Sequence, residues 1–362
     1  MMEYLPFFTL FLSSAFLSAL ITPILHKIAI ENGVVDVPNE RKIHQQVIPR
    51  IGGISIAISF FVAIVLGYSF FHADLKISIS SLTGLCIGGT LVLLVGVVDD
   101  IDSTGLRASK KFFGQLLAAL TLVPFGFVID SLHLPFFGIV DLNFAVGLAL
   151  TITWIIGVTN ALNLIDGMDG LASGLALLAC IALTVLSILS GKLLMTIVLI
   201  AIFGSVLGFL YYNWPPAKIF LGDCGAMFLG FLLAAVSIET SFKSNGIEPS
   251  MLSNVTFVPV LALGVPILDT TTAIVRRLWH RKSVCSPDRK HIHHRLLDVG
   301  FTARQANLIL YGVSIVLAVT GLSTTMAKIV TAMGIVTFVV LAALLAIGAM
   351  NKSRKNRLRQ LA

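Results

Sequence analysis

Charge is scarce in this chain. Of its 362 residues only 12% are Asp, Glu, Lys or Arg, against 57% hydrophobic. Soluble domains carry roughly 25% charged residues, so a water-facing surface over so much apolar length is excluded. Cysteine is scarce too. The four residues Cys86, Cys180, Cys224 and Cys285 show no paired spacing, which argues against a disulfide framework or a zinc ribbon. There is no low-complexity segment, no convincing internal repeat and no polar stretch long enough for a soluble domain. A cleavable leader is not expected: Met1–Pro6 contains Glu3 and no basic residue, and no A-x-A site follows.

What the sequence does have is long apolar runs. Eleven approach or reach the length of a membrane-spanning helix, near 5–27, 51–70, 81–98, 110–128, 144–163, 171–190, 193–212, 224–240, 253–275, 306–322 and 327–349. Lipid admits only helices and closed barrels, and these runs lack the alternation of barrel strands. The expected fold class is therefore all-α: a polytopic membrane protein of about eleven transmembrane helices. One integral-membrane domain is expected over 1–350, followed by a basic tail at 351–362.

The lysines and arginines orient these helices. Sorted by loop, 21 of the 25 fall on one side of the predicted bundle. Under the positive-inside rule that side is cytosolic, which puts the N-terminus outside and the C-terminus inside. The net charge of +7 is then explained by topology and by attraction to anionic headgroups and substrates. Nucleic acid is not an expected partner. His72 and His133, on the opposite side, read as ordinary loop residues, and 129–143 as a small surface hairpin.

Five predicted cytosolic loops carry unusual polar sequence. The first runs from Asp36 through Pro38, Arg41 and His44 to Arg50-Ile-Gly52-Gly53. The second opens with Asp99-Asp100-Ile-Asp102, directly after an apolar run. Ionisable groups near membrane depth are costly and usually mark a site. Adjacent carboxylates also repel, so a cation nearby is implied unless headgroup water solvates the pair.

In the third loop Asn160, Asn163, Asp166 and Asp169 recur every third residue. On a helix, neighbours in such a series share a face. Gly167 and Gly170 predict that the helix ends there. All four side chains offer oxygen, which suits magnesium. The calcium EF-hand ladder is absent.

The fourth loop places Asp223 between Gly222 and Cys224-Gly225, three residues after Phe220. The carboxylate reads either as a ligand or as a helix cap. Phe220 reads as a base-stacking group or an interface anchor. The fifth loop combines Arg277, Arg289 and other basic residues with His291, His293 and His294. Dense positive charge without Cys or Glu partners disfavours zinc and favours phosphate oxygens. Asp269, near the end of its helix, reads either as a partner of Arg276 or as a residue lining the site, with the pairing ranked first.

In this order the five loops resemble the polyprenyl-phosphate N-acetylhexosamine-1-phosphate transferase family, glycosyltransferase family 4. The resemblance covers Asp36 to about Gln305. Asp99-Asp100 looks like the family's aspartate pair at the end of the third helix, and Asn160 to Gly170 like its N-A-x-N-x-x-D-G-x-D-G motif. The resemblance implies that Asn163 and Asp223 hold magnesium, which manganese can replace. It implies that Phe220 and Asp169 seat a uracil. Asn160, Arg277, Arg289 and the three histidines join them as substrate-binding residues, and Asp99, Asp100 and Asp166 as catalytic ones.

Loop five, with H-I-H-H-R-L-L, departs from the three consecutive histidines of the muramoyl-pentapeptide branch. That points to UDP-N-acetylglucosamine and undecaprenyl phosphate as substrates, in a bacterial cytoplasmic membrane. A homodimer is compatible, since some members dimerise. The runner-up is a related phosphotransferase using another UDP-N-acetylhexosamine or the UDP-muramoyl-pentapeptide. The rival from another class is a secondary transporter, but transporters place binding residues near the midplane and show repeats.

Overall fold

The structure, a computed structural model, describes residues 5–36, 47–71, 79–102, 105–134, 138–243, 255–283 and 291–325. It is helical throughout, with two short antiparallel strand pairs. The elements run α1 (Leu5–Glu31), β1 (Val35–Asp36), β2 (Ile48–Pro49), α2 (Gly53–Phe71), α3 (Ile79–Ile101), α4 (Ala108–Leu122), β3 (Ser131–Leu134) and β4 (Gly138–Asp141). They continue with α5 (Phe144–Ile165), α6 (Leu171–Leu189), α7 (Leu193–Asn213), α8 (Gly222–Ser241), α9 (Phe257–Ala262), α10 (Gly264–Trp279), α11 (Ile292–Val299) and α12 (Ala303–Thr324).

Eight of these helices are long and apolar enough to cross a membrane: α1, α2, α3, α5, α6, α7, α8 and α12. Each coincides with an expected span. The outer faces support a lipid setting: Leu5, Phe8, Leu12, Phe16 and Leu20 of α1 all lie exposed along the helix. Apolar surface of that extent marks a face that meets something other than water.

Two expected spans take a different form. The 110–128 run makes only the 15 residues of α4 and one 3-10 turn, Val123–Phe125. At 1.5 Å per residue that helix is short of the ~30 Å hydrocarbon thickness. The 253–275 run is broken at Leu263 into α9 and α10. Pro266 explains the restart: it sits in the first turn of α10, where its missing amide has no helical partner to lose. The 327–349 run, Arg289 and the basic tail lie outside the described residues.

Helix α8 forms the axis of the bundle. It is buried almost from end to end and packs on α2, α3, α5 and α6. In lipid no hydrophobic force draws helices together, so close backbone packing must. At Gly53 a side chain would overlap the backbone of Gly225, which brings the starts of α2 and α8 into direct contact.

The expected hairpin at 129–143 is present as β3–β4. It meets the far end of α8, where the Asp130 amide donates to Phe242 O. His133 is not an ordinary loop residue. It is buried in β3, and its amide donates to Thr256 Oγ1 at 2.9 Å. Burial holds its imidazole pKa below the usual value, against the charges of Asp130 and Asp141.

Candidate active site

The polar loops meet at the end of the bundle where α8 begins, some 30 Å along that helix from the hairpin. The β1–β2 pair closes loop one, with Arg50 ion-paired to Asp36. Loop one then docks on loop four through backbone bonds. The Phe220 amide donates to Pro49 O at 2.8 Å, Gly52 N to Phe220 O at 3.0 Å, and Gly53 N to Leu221 O at 2.8 Å. Phe220 is thereby held at the seam, partly exposed.

Three carboxylates gather at that seam. Asp99, Asp100 and Asp223 each offer an oxygen, and these atoms lie within 4.8 Å of one another. Their jobs differ. Asp100 is buried, and its two oxygens accept the backbone amides of Asp223 and Cys224, both at 2.9 Å. It therefore caps α8 from a neighbouring helix and satisfies donors that the helix start leaves unpaired. Bonds of this charge-assisted kind contribute about 1.5–3 kcal/mol each. Asp223 is a first-turn residue of α8, not its cap.

Asp99 accepts the Leu106 amide at 2.6 Å on one oxygen and Lys111 Nζ at 2.7 Å on the other. Lys111, in the first turn of α4, also reaches Asp223 Oδ2 at 2.5 Å. Asp223 is the most exposed of the three carboxylates. Lys111 was not singled out in the sequence because it reads as one more cytosolic lysine.

Loop three delivers Asp166 to the same place. Helix α5 ends at Ile165 and Asp166 is its C-cap, as the glycines predicted. Burial, then the charges of Asp223, Asp100 and Asp169, raise its carboxyl pKa well above the usual range. Asn163, one turn earlier on α5, is partly exposed. Asn160 is tied down differently: its Nδ2 donates to Gln115 Oε1 at 2.6 Å and to Ile156 O at 2.8 Å.

Asp169 links loops three and four. Its Oδ2 accepts the Ala217 amide at 2.9 Å, and Asn307 Nδ2 donates to its carbonyl at 2.8 Å. Asn213 adds a second staple, accepting from Gly170 N and from Ser173 Oγ and donating to Ile219 O.

Loop five closes over loop three. A Cβ at Gly167 would lie 2.5 Å from His293 Nε2. His293 is buried, and neither ring nitrogen finds a partner among the described residues. Burial, then the neighbouring charge of His294, lowers its pKa to about 4, so the ring is neutral at physiological pH. Its ring stacks on His291 and tilts against His294.

Asp269 takes His291 as its partner, where Arg276 was expected. Its Oδ2 lies 2.7 Å from His291 Nδ1, and its Oδ1 accepts the Ile292 amide at 2.8 Å. Asp269 thereby ties α10 to the start of α11. Arg277 is buried in the last turn of α10.

The cluster fits a divalent cation. Its donors are hard oxygens within one small volume, the set that suits magnesium or manganese. A positive charge already stands among them, in the Lys111 ammonium. Because burial and neighbouring carboxylates push the Asp166 pKa upward, a cation binding near it favours release of a proton there. Cation affinity should therefore fall as pH falls, by up to about tenfold per pH unit for one displaced proton. Manganese titrations followed by electron paramagnetic resonance between pH 6 and 8 measure this, and a flat profile would count against it.

Known proteins are similar to this chain. The model of "Glycosyl transferase family 4" matches residues 82–241, a stretch that contains all three clustered carboxylates. A "Probable undecaprenyl-phosphate N-acetylglucosaminyl 1-phosphate transferase" of Bacillus subtilis (strain 168) is 36% identical over 317 residues, covering 86% of this chain and 83% of the relative. A "Decaprenyl-phosphate N-acetylglucosaminephosphotransferase" of Mycolicibacterium smegmatis is 34% identical, covering 83% of this chain and 77% of its own length. The "Undecaprenyl-phosphate alpha-N-acetylglucosaminyl 1-phosphate transferase" of Escherichia coli K12 is 30% identical, with 78% and 74% covered. Identity at this level along most of both chains leaves one assignment: the chain belongs to glycosyl transferase family 4.

Proposed function

We propose that this protein transfers N-acetylglucosamine 1-phosphate from UDP-N-acetylglucosamine to undecaprenyl phosphate. The products are undecaprenyl-pyrophosphoryl-N-acetylglucosamine and UMP, the first lipid intermediate of a cell-surface glycan of the O-antigen, common-antigen or teichoic-acid type. The names of the relatives support the sugar and the polyprenyl acceptor. The observation that carries the reading is the gathering of Asp99, Asp100 and Asp223 with Lys111 at one end of an apolar bundle. An isoprenoid acceptor stays in lipid while a nucleotide sugar arrives from water, and only a site at the interface serves both. The positive-inside pattern supports the cytosolic face of the bacterial cytoplasmic membrane for that end. A transporter would place its carboxylates at mid-helix, whereas these stand at helix ends.

In this reaction an oxygen of the lipid phosphate attacks the sugar-side phosphorus of the UDP-sugar. One phosphoanhydride forms, another breaks, and UMP leaves. Phosphoryl transfer asks the protein mainly for positioning and charge stabilisation. Asp223 and Asp99 would hold magnesium, with Asn163 as a further oxygen donor. The bound cation would supply positive charge against the anionic oxygens of the diphosphate.

Asp100 serves the reaction by fixing the start of α8, and so the position of Asp223. Asp169 and Asn213 lock loops three and four together, which keeps Phe220 beside the nucleotide end of the site. His291, His293 and His294 form a row of contacting rings that Asp269 anchors at His291. As a neutral ring with unpaired nitrogens, His293 can donate to a phosphate oxygen or accept from a sugar hydroxyl. Little general-base power is needed, because the second pKa of a phosphate monoester is about 6.

The test uses purified protein in detergent with undecaprenyl phosphate and radiolabelled UDP-N-acetylglucosamine. Label should pass into lipid only when magnesium or manganese is present. Transfer from another UDP-N-acetylhexosamine alone would change the sugar. No transfer from any UDP-sugar by folded protein would sink the reading.

A further inference from the structure

The carboxylate cage carries a cation of its own. Lys111 Nζ stands 2.7 Å from Asp99 Oδ2 and 2.5 Å from Asp223 Oδ2, so one ammonium occupies lone pairs of both. Asp100 takes no part in this exchange, since both its oxygens are committed to the start of α8. A divalent cation bound between Asp99 and Asp223 would draw on the same two carboxylates at about 2.0–2.1 Å. The ammonium and the metal would then stand a few ångströms apart, and two cations at that spacing repel strongly in a partly buried setting.

We propose that Lys111 is a built-in placeholder, an ammonium that neutralises Asp99 and Asp223 before metal binds and is displaced when metal enters. This rests on the divalent-cation reading of the same cage. The side chain is suited to the task. Lysine is a point charge on a flexible four-carbon stem, its side chain retains 23% exposure, and it stands in the first turn of α4. A placeholder keeps the loops assembled without metal. Once displaced, the ammonium stands beside the incoming diphosphate as a second positive group.

The experiment reads metal binding and lysine accessibility without substrates. Manganese affinity is measured by electron paramagnetic resonance on purified protein in detergent. Lys111→Met should tighten manganese binding about tenfold, near the low end of ordinary coupling between two ligands. Lys111→Arg keeps the competing charge and should bind no tighter than wild type. Lys110→Met, a change at the exposed neighbour, should leave affinity within about twofold.

A second measurement needs no variant. Saturating magnesium should increase the labelling of Lys111 by an amine-acylating reagent several-fold, read by mass spectrometry, while Lys110 labelling stays constant. Unchanged or weaker manganese binding in folded Lys111→Met protein overturns the proposal, as does magnesium-independent labelling of Lys111. If instead Asp223→Ala binds manganese as well as wild type, the cage itself is not the metal site, and it is that reading which fails.

Discussion

Exchanging Asp223 for alanine should lower lipid transfer by about 10³-fold, the scale seen when one preorganised electrostatic group is removed. Asp223 is the most accessible carboxylate of the cage, and its loss leaves Lys111 paired to Asp99 alone. The fold should survive, for a specific reason. Asp100 caps α8 through the backbone amides of residues 223 and 224, and an alanine keeps its amide. The thermal unfolding temperature in detergent should therefore stay within a few degrees of wild type. Manganese affinity should fall in parallel with transfer. A variant that retains a tenth of wild-type transfer would remove Asp223 from the reaction.

Gly222→Ala should damage both fold and activity. Gly222 has φ +74, and a Cβ there would lie 2.6 Å from Asp100 Oδ2 and closer still to Arg50 O. The left-handed backbone alone costs an alanine about 1–2 kcal/mol. Overpacking adds about 1–3 kcal/mol, because neither neighbour can retreat. Loop one, which carries Arg50, is pinned to loop four by three backbone bonds, and Asp100 is pinned by its cap. Relief requires pushing Asp100 off α8, so transfer should drop at least about 100-fold even in protein that folds.

Gly191→Ala is the control. That residue has φ +66 and nothing within 4 Å of the added carbon, so it bears the backbone cost alone. Equal unfolding temperatures and equal activities for the two variants would refute the steric argument.

Much of the site could be read from one dimension. The end of α5 followed from Gly167 and Gly170, and the placement of Asp99, Asp166 and Asp223 at helix ends followed from where apolar runs stop. The roles within the cluster could not be read that way. Asp99 and Asp100 are neighbours of the same type, yet one holds a lysine and the other caps a helix. That split depends on which way each carboxylate points as α3 leaves the bundle. Asp223 was open to two readings, ligand or cap. The cap proved to be Asp100, 123 residues away in sequence. Lys111 looked like topology because every cytosolic lysine does. Asp269 was open to pairing with Arg276 on its own helix or to lining the site, and its partner proved to be His291, 22 residues on.

The amino-acid sequence by itself determined the solvent, the helices and the chemistry on offer. Those follow from local quantities: run length against bilayer thickness, glycine at chain reversals, oxygen donors at helix ends. Tertiary structure alone decided which of those donors share a cage, which serve a neighbouring helix, and which cation stands among them. Such choices are made by pairs far apart in the chain. They become visible only when packing brings two backbones within a few ångströms and every buried donor has to find an acceptor.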